Sequence, residues 1–313
     1  MRMQNIRVAA VQFEPVKQDK DANLETIRRL TVDAVDQGAE MVCFHEQSIN
    51  GYNMWAEPSD PEKPTEKDGI WSPKWGSLGV SPYSLAEPVP GGPSVDALAT
   101  LAREQGAVIM AGVHELGEDH GVYNTYFAVG PQGYIGKYRK CHCVPGAEDA
   151  YFKHGSSFPV FDAGKVKFGA LICYDNHFPE AHRILSAKGA HLIVMPHVTA
   201  GRGWWPDPDH TLEQAMDQAR LWILKWLRAR AFDNSVYCIF VNHVQTDGQG
   251  CMGCSMVLDP EGRVIARADK CDEQIVITDL SADFFYQVRK RTHDYMIHRR
   301  PELYGELTLP DPE

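Results

Sequence analysis

Cys173 closes the apolar run Phe168-Gly169-Ala170-Leu171-Ile172 and is followed at once by the polar stretch Tyr174-Asp175-Asn176-His177, then Phe178-Pro179-Glu180. That pattern predicts a thiol at the carboxyl end of a buried strand, facing the first backbone N–H groups of a helix. Those donors and the helix dipole would favour the thiolate. Free cysteine is also among the most buried residue types, so simple packing is the alternative at this position. A thiol is only a few per cent ionised near neutrality, and a nucleophilic one needs a base, a cation or a helix end. Two charged residues stand at comparable strand ends. Glu46 follows Met41-Val42-Cys43-Phe44-His45, and Lys140 follows Tyr134-Ile135-Gly136-Lys137-Tyr138-Arg139. A carboxylate can take the thiol proton and return it to a leaving nitrogen. An ammonium group can stabilise the oxyanion of a tetrahedral carbon. Taken singly, each is better read as a solvated charge at a strand end, since most charged residues are exposed.

The elements that must position these groups alternate along the chain. Apolar runs predict strands at 6–13, 41–44, 107–113, 125–129, 134–136, 166–172, 192–195, 236–241, 253–258, 264–268 and 274–279. Helical spacing is found over 24–35, 94–105, 179–188 and about 211–233, where Thr211 and Gln214 form a candidate capping box. Asp259-Pro260-Glu261-Gly262 reads as a hairpin turn. Strands outnumber helices, which favours two packed sheets with helices outside over a doubly wound sheet. Residues 53–93 interrupt the rhythm with eight prolines and three tryptophans. This is a long loop excursion, read as functional, interfacial or a plain insertion.

The chain has 313 residues, 43% of them hydrophobic, enough for a large core. No composition shift forces a boundary, so it is read as one domain over 1–313, with a C-terminal tail from about 290. A net charge of -11 excludes a phosphate-backbone binder, and no nucleic-acid partner is expected. The N-terminus lacks a signal-like apolar region and no segment approaches the ~20 apolar residues of a membrane span, so a cytoplasmic protein with no membrane partner is expected. Eight cysteines in such a chain favour reduced thiols. Cys141-His142-Cys143 and Cys251-Met252-Gly253-Cys254 have partial metal-ligand spacing but no second pair, so no metal is expected.

In order, Phe44-His45-Glu46, Tyr138-Arg139-Lys140 and Leu171-Ile172-Cys173-Tyr174-Asp175 resemble the Glu-Lys-Cys triad of the nitrilase superfamily of carbon-nitrogen hydrolases. Val8 to Gln12, Asn124-Thr125 with Gly133 to Lys140, Leu227 to Asn234 and Arg299 to Gly305 are similar to further family segments. The resemblance covers nearly the whole chain. It implies an α/β fold, a four-layer alpha-beta-beta-alpha sandwich, and no cofactor. It also implies a catalytic set of Glu46 as general base and acid, Lys140 as oxyanion donor together with the Tyr174 N–H, and Cys173 as nucleophile. Glu148, in Pro145-Gly146-Ala147-Glu148-Asp149, falls where the family places a second glutamate; a loop salt bridge is its alternative. A homodimer or larger homo-oligomer is implied as well.

Cys173-Tyr174-Asp175 resembles the amidase and carbamoylase branches more than nitrilases proper, and Asn176 to Arg183 is similar to N-carbamoylputrescine amidases. The expected substrate is a small ureido or amide compound, with an N-carbamoyl amidohydrolase as the first reading. A linear aliphatic amidase, a nitrilase and a catalytically silent scaffold are alternatives. Asn176 and His177 stand where the amino-acid carbamoylases carry an arginine pair, so Asn176, His177 and Arg202 are the substrate-binding candidates. A cysteine-histidine hydrolase with His177 as base is a rival class.

Overall fold

The computed structural model describes residues 1–51, 82–145, 147–149, 151–199, 211–245, 251–290 and 295–309. Arg202 and most of the 53–93 excursion lie outside them.

In chain order the elements are β1 (Ile6–Gln12), α1 (Lys20–Asp36), β2 (Met41–Phe44), α2 (Pro82–Leu85), α3 (Pro93–Gln105), β3 (Val108–Leu116), β4 (Val122–Gly130), β5 (Gly133–Arg139), β6 (Phe161–Asp162) and β7 (Lys167–Ala170). A short 3-10 turn at Cys173–His177 leads into α4 (Pro179–Ala187). There follow β8 (Leu192–His197), α5 (Leu212–Phe232), β9 (Tyr237–Asn242), β10 (Met256–Leu258), β11 (Val264–Arg267), β12 (Gln274–Leu280) and α6 (Ala282–Lys290). Two six-stranded sheets form, ordered β12-β1-β2-β3-β4-β5 and β11-β10-β9-β8-β7-β6. The excess of strands therefore resolves into a sandwich with helices outside.

The period-2 alternation of strand side chains decides what each face covers. On β1 and β2, Ala9, Val11, Val42 and Phe44 face outward onto Ile27, Leu30 and Ala34 of α1 and Val95, Leu98 and Leu101 of α3. Their neighbours Val8, Ala10, Met41 and Cys43 join the larger core, which includes β8, β9, and Leu185, Ile223 and Leu227 of α4 and α5. Both faces are apolar, which is why these strands read as unbroken hydrophobic runs. Burying each Leu or Ile here contributes ~1.5–3 kcal/mol.

The ends are fixed locally. Asp19 caps α1 by accepting from the Ala22 N–H at 3.0 Å. Thr211 and Gln214 form the reciprocal cap of α5, at 2.8 and 3.3 Å. The 256–267 segment is the expected antiparallel hairpin, β10 against β11. The strand expected over 166–172 is shorter, ending at Ala170.

Candidate active site

Glu46 lies two residues past β2, Lys140 one residue past β5 and Cys173 three past β7, so both sheets deliver groups to one place. The segment after β2 is laid across β3. Ile49 N–H donates to Gly112 O at 3.1 Å, and Gly112 N–H donates to Ser48 Oγ at 3.1 Å. A Cβ at Gly112 would stand 2.3 Å from Gln47 N, so only glycine allows this approach. Lys140 is held by its N–H to Asn124 O at 2.9 Å.

Lys140 Nζ donates to Glu46 Oε1 at 2.9 Å and stands 2.8 and 2.7 Å from the two oxygens of Glu148. All three side chains are sealed from solvent. Asn124 Nδ2 donates to the same Glu46 oxygen at 2.7 Å, and Val144 N–H to Glu148 Oε2 at 2.8 Å. Glu46 Oε2 has no partner among the described residues. One ammonium thus faces two carboxylates. Burial would lower Lys140, yet Glu148 and Glu46 outweigh it and hold the ammonium well above its usual range. Burial raises Glu46 to about 7, helped by the Glu148 charge and opposed by Lys140. A carboxyl poised there can both accept and donate a proton near neutrality.

Cys173 has φ +45°, a left-handed conformation that costs a non-glycine residue about 1–3 kcal/mol. It is half-buried, and its Sγ–H points to Val198 O at 3.8 Å. The thiol does not rest on a helix N-terminus, contrary to the sequence expectation. It opens a 3-10 turn, and α4 starts only at Pro179. Protein surrounds the sulfur closely enough that burial, and then the Glu46 charge, push its pKa well up. At rest the sulfur is therefore held as the thiol.

The turn is tied down from three sides. Asp175 is fully buried and accepts from Tyr138 OH at 2.8 Å, Ile172 N–H at 3.1 Å and His142 N–H at 2.8 Å, with His142 Nδ1 at 2.7 Å. Arg230 of α5 donates to Asn176 O at 3.1 Å and His177 O at 3.0 Å. In the sequence, Asn124, Tyr138, Asp175 and Arg230 carry no individual role and stand only within the family-like segments Asn124-Thr125, Tyr138-Arg139-Lys140, Cys173-Tyr174-Asp175 and Leu227 to Asn234.

The structure brings Glu46, Lys140 and Glu148 together and sets Cys173 within reach of their charges, with Tyr174 next in the chain. It does not place Asn176 as a substrate contact. Asn176 is fully buried, and its Nδ2 is turned to Leu171 O, Cys173 O and His197 Nε2. His177 is half-buried, its ring against Trp226 and Trp222 at 5.1 and 5.5 Å and near Tyr174 at 5.9 Å. Burial and then Arg230 lower its pKa, which favours the neutral imidazole, weak as a carboxylate clamp. Arg202 lies outside the described residues. Cys251 and Cys254 face different cores: Cys251 packs with Cys143, Phe152 and Val198, while Cys254 Sγ lies 3.7 Å from Met216 O. They do not converge as a ligand pair.

The description "carbon-nitrogen hydrolase" fits residues 7–290 of the chain as a family match. The chain belongs to that family. Among relatives, this carbon-nitrogen hydrolase is 29% identical to a nitrilase of Pyrococcus abyssi, over 96% of this chain and 99% of that one. It is 28% identical to an omega-amidase of Xenopus tropicalis, over 97% and 98%. Its fold matches a carbon-nitrogen hydrolase from Helicobacter pylori (TM-score 0.77, 21% identity, 98% and 99% covered). It also matches an amidase from Nesterenkonia sp., solved as a mutant with the acetamide moiety of fluoroacetamide covalently added at the active-site cysteine (TM-score 0.68, 21% identity, 96% and 98% covered). The hydrolase acts on carbon-nitrogen bonds other than peptide bonds, and its α/β sandwich is that of the nitrilase superfamily. Among the described residues no helix is long and apolar enough to cross a membrane.

Proposed function

We propose that this carbon-nitrogen hydrolase cleaves a terminal carbamoyl group, a carbonyl bearing an unsubstituted amino group, attached to carbon (a primary amide) or to nitrogen (an N-carbamoyl compound), through a thioester on Cys173. The observation that carries this is Glu46, sealed from water, raised to about 7, with one oxygen held by Lys140 and Asn124 and the other unpartnered among the described residues. Glu46 takes the thiol proton as sulfur attacks the carbonyl carbon. The oxygen becomes an oxyanion and accepts from Lys140 Nζ and Tyr174 N–H. Glu46 then protonates the nitrogen, the C–N bond breaks and ammonia leaves. Water, deprotonated by Glu46, attacks the thioester; the C–S bond breaks and the thiol regains its proton. A primary amide gives a carboxylic acid, and an N-carbamoyl amine gives a carbamic acid, whose remaining C–N bond then breaks to yield the amine and carbon dioxide.

The omega-amidase and amidase relatives support the amide arm. The similarity of Asn176 to Arg183 to N-carbamoylputrescine amidases supports the ureido arm. Neutral His177 and inward-turned Asn176 leave no paired-cation clamp in that turn, so N-carbamoyl-α-amino acids are poor substrates in this reading. The test is ammonia release from primary amides, carbamoyl amines, N-carbamoyl-β-alanine, N-carbamoyl-α-amino acids and nitriles. Amides or carbamoyl amines should lead in kcat/KM by at least tenfold. Nitriles or N-carbamoyl-α-amino acids in first place would refute it.

A further inference from the structure

Outside the proton-transfer set, the described residues contain one buried polar pair that touches the nucleophile's own backbone. Asn176 Nδ2 lies 2.8 Å from Leu171 O, 3.2 Å from Cys173 O and 2.9 Å from His197 Nε2. Two carbonyl oxygens can only be met by the amide nitrogen, which fixes the orientation of the Asn176 side chain. That nitrogen has no acceptor capacity, so His197 Nε2 presents its lone pair and the ring proton sits on Nδ1, which has no partner among the described residues; with two hydrogens for three acceptors, one hydrogen is shared. His197 is fully buried at the end of β8, its ring 4.6 Å from Phe240 and 5.6 Å from Trp226. Burial, then His177 and Lys140, hold its pKa well below the usual imidazole range, so the neutral acceptor form persists across neutral pH.

A trans peptide group is planar, and its C=O and N–H point in opposite directions. The carbonyl that Asn176 grips belongs to Cys173, and the other end of that peptide is the Tyr174 N–H. Fixing the oxygen therefore aims the N–H. Cys173 sits at φ +45°, where an unsupported turn would relax, and Arg230 secures the Asn176 carbonyl at 3.1 Å so that the strut itself cannot swing.

We propose that Asn176 and His197 are positioning residues that aim the Tyr174 N–H at the developing oxyanion, with His197 acting as the acceptor that fixes the Asn176 amide. This rests on the thioester reading above, in which Tyr174 N–H is an oxyanion donor. Neither residue touches substrate; they act through the peptide plane.

The test compares two reactions of the intact protein at Cys173, with Cys173→Ala as background. Acylation by p-nitrophenyl acetate passes through an oxyanion whatever the natural substrate is; alkylation by iodoacetamide does not. Asn176→Ala and His197→Phe should slow acylation at least ~10-fold, a part of the ~10²–10³ that an oxyanion donor contributes, while alkylation stays within ~3-fold of wild type. His197→Gln, whose Oε1 restores an acceptor, should recover most of the acylation rate. Equal losses in both reactions would overturn the proposal, because the pair would then merely hold the turn together. Unchanged acylation in both variants would overturn it too. A wild-type chain that alkylates at Cys173 but does not acylate there would instead overturn the thioester reading, and the pair's role with it.

Discussion

Removing one charge from the buried triad, by Glu148→Gln, should move the pH dependence of turnover downward. Glu148 and Glu46 share one ammonium nitrogen, at 2.7–2.8 and 2.9 Å, so the two carboxylates lie close together in a site closed to water. Like charges ~5 Å apart at an effective dielectric of ~20 repel by ~3 kcal/mol. That is an upper limit of about two pKa units, since 1.36 kcal/mol corresponds to one. Glu148 is one of the causes that raise Glu46 to about 7, after burial itself. The sign follows directly. The base must be ionised to take the thiol proton, so kcat/KM of the wild type falls as pH drops through about 7, and relieving the repulsion lowers that midpoint. Glutamine still accepts from Val144 N–H, so the loop is retained. The assay is kcat/KM for a primary amide or carbamoyl amine between pH 5 and 9. An acid limb displaced downward by about 1–2 units is expected. A limb that stays in place, or moves up, would refute the coupling, and a wild-type limb below pH 5 would refute the raised base.

Tyr138→Phe removes the 2.8 Å donor to fully buried Asp175 and should cost ~1–3 kcal/mol, read as a lower Tm and a lower kcat because the nucleophile turn loosens. Thiol, carboxylate and ammonium suffice for the chemistry, and Cys251 and Cys254 face different cores, so extensive chelation should leave kcat unchanged; activity restored only by zinc would contradict this. The tail exposes Ile297, Leu303, Leu307 and Leu309, an apolar set that fits a second copy of the chain. Light scattering at micromolar concentration should report a dimer or larger, and a monomer would remove that proposal.

The central strands were legible because both of their faces are buried, whereas the edge strands β5, β11 and β12 are half-exposed. Val8 to Val11, Met41 to Phe44 and Leu192 to Met195 are therefore apolar without a break, and a charge directly after such a run marks where the chain leaves the sheet. Glu46 and Cys173 stand just past such runs, and Lys140 just past the half-exposed edge strand β5. The state of the thiol was not legible. A strand followed by helix-like sequence suggested a dipole-stabilised thiolate, but side chains take over from the ladder before the helix begins. Asp175 accepts the Ile172 N–H and Asn176 donates to Leu171 O, so regular pairing stops at Ala170 and a 3-10 turn intervenes. The supporting contacts were illegible for a related reason. Asn124 reaches Glu46 across 78 residues and Arg230 reaches Asn176 across 54, distances at which neither periodicity nor local spacing carries information. The inward turn of Asn176 is illegible too, because a position beside Cys173 says nothing about which way the side chain points.

The proposed mechanism turns on a thioester at Cys173 whose breakdown depends on Glu46. Glu46→Gln should be incubated with the best amide or carbamoyl substrate, quenched in acid, and followed by intact-protein and peptide mass spectrometry. The prediction is turnover reduced at least ~10², with any acyl adduct mapping to Cys173 and none appearing in Cys173→Ala, which should be folded and inactive. Hydrolysis retained by folded Cys173→Ala, or an adduct on another residue, would contradict it.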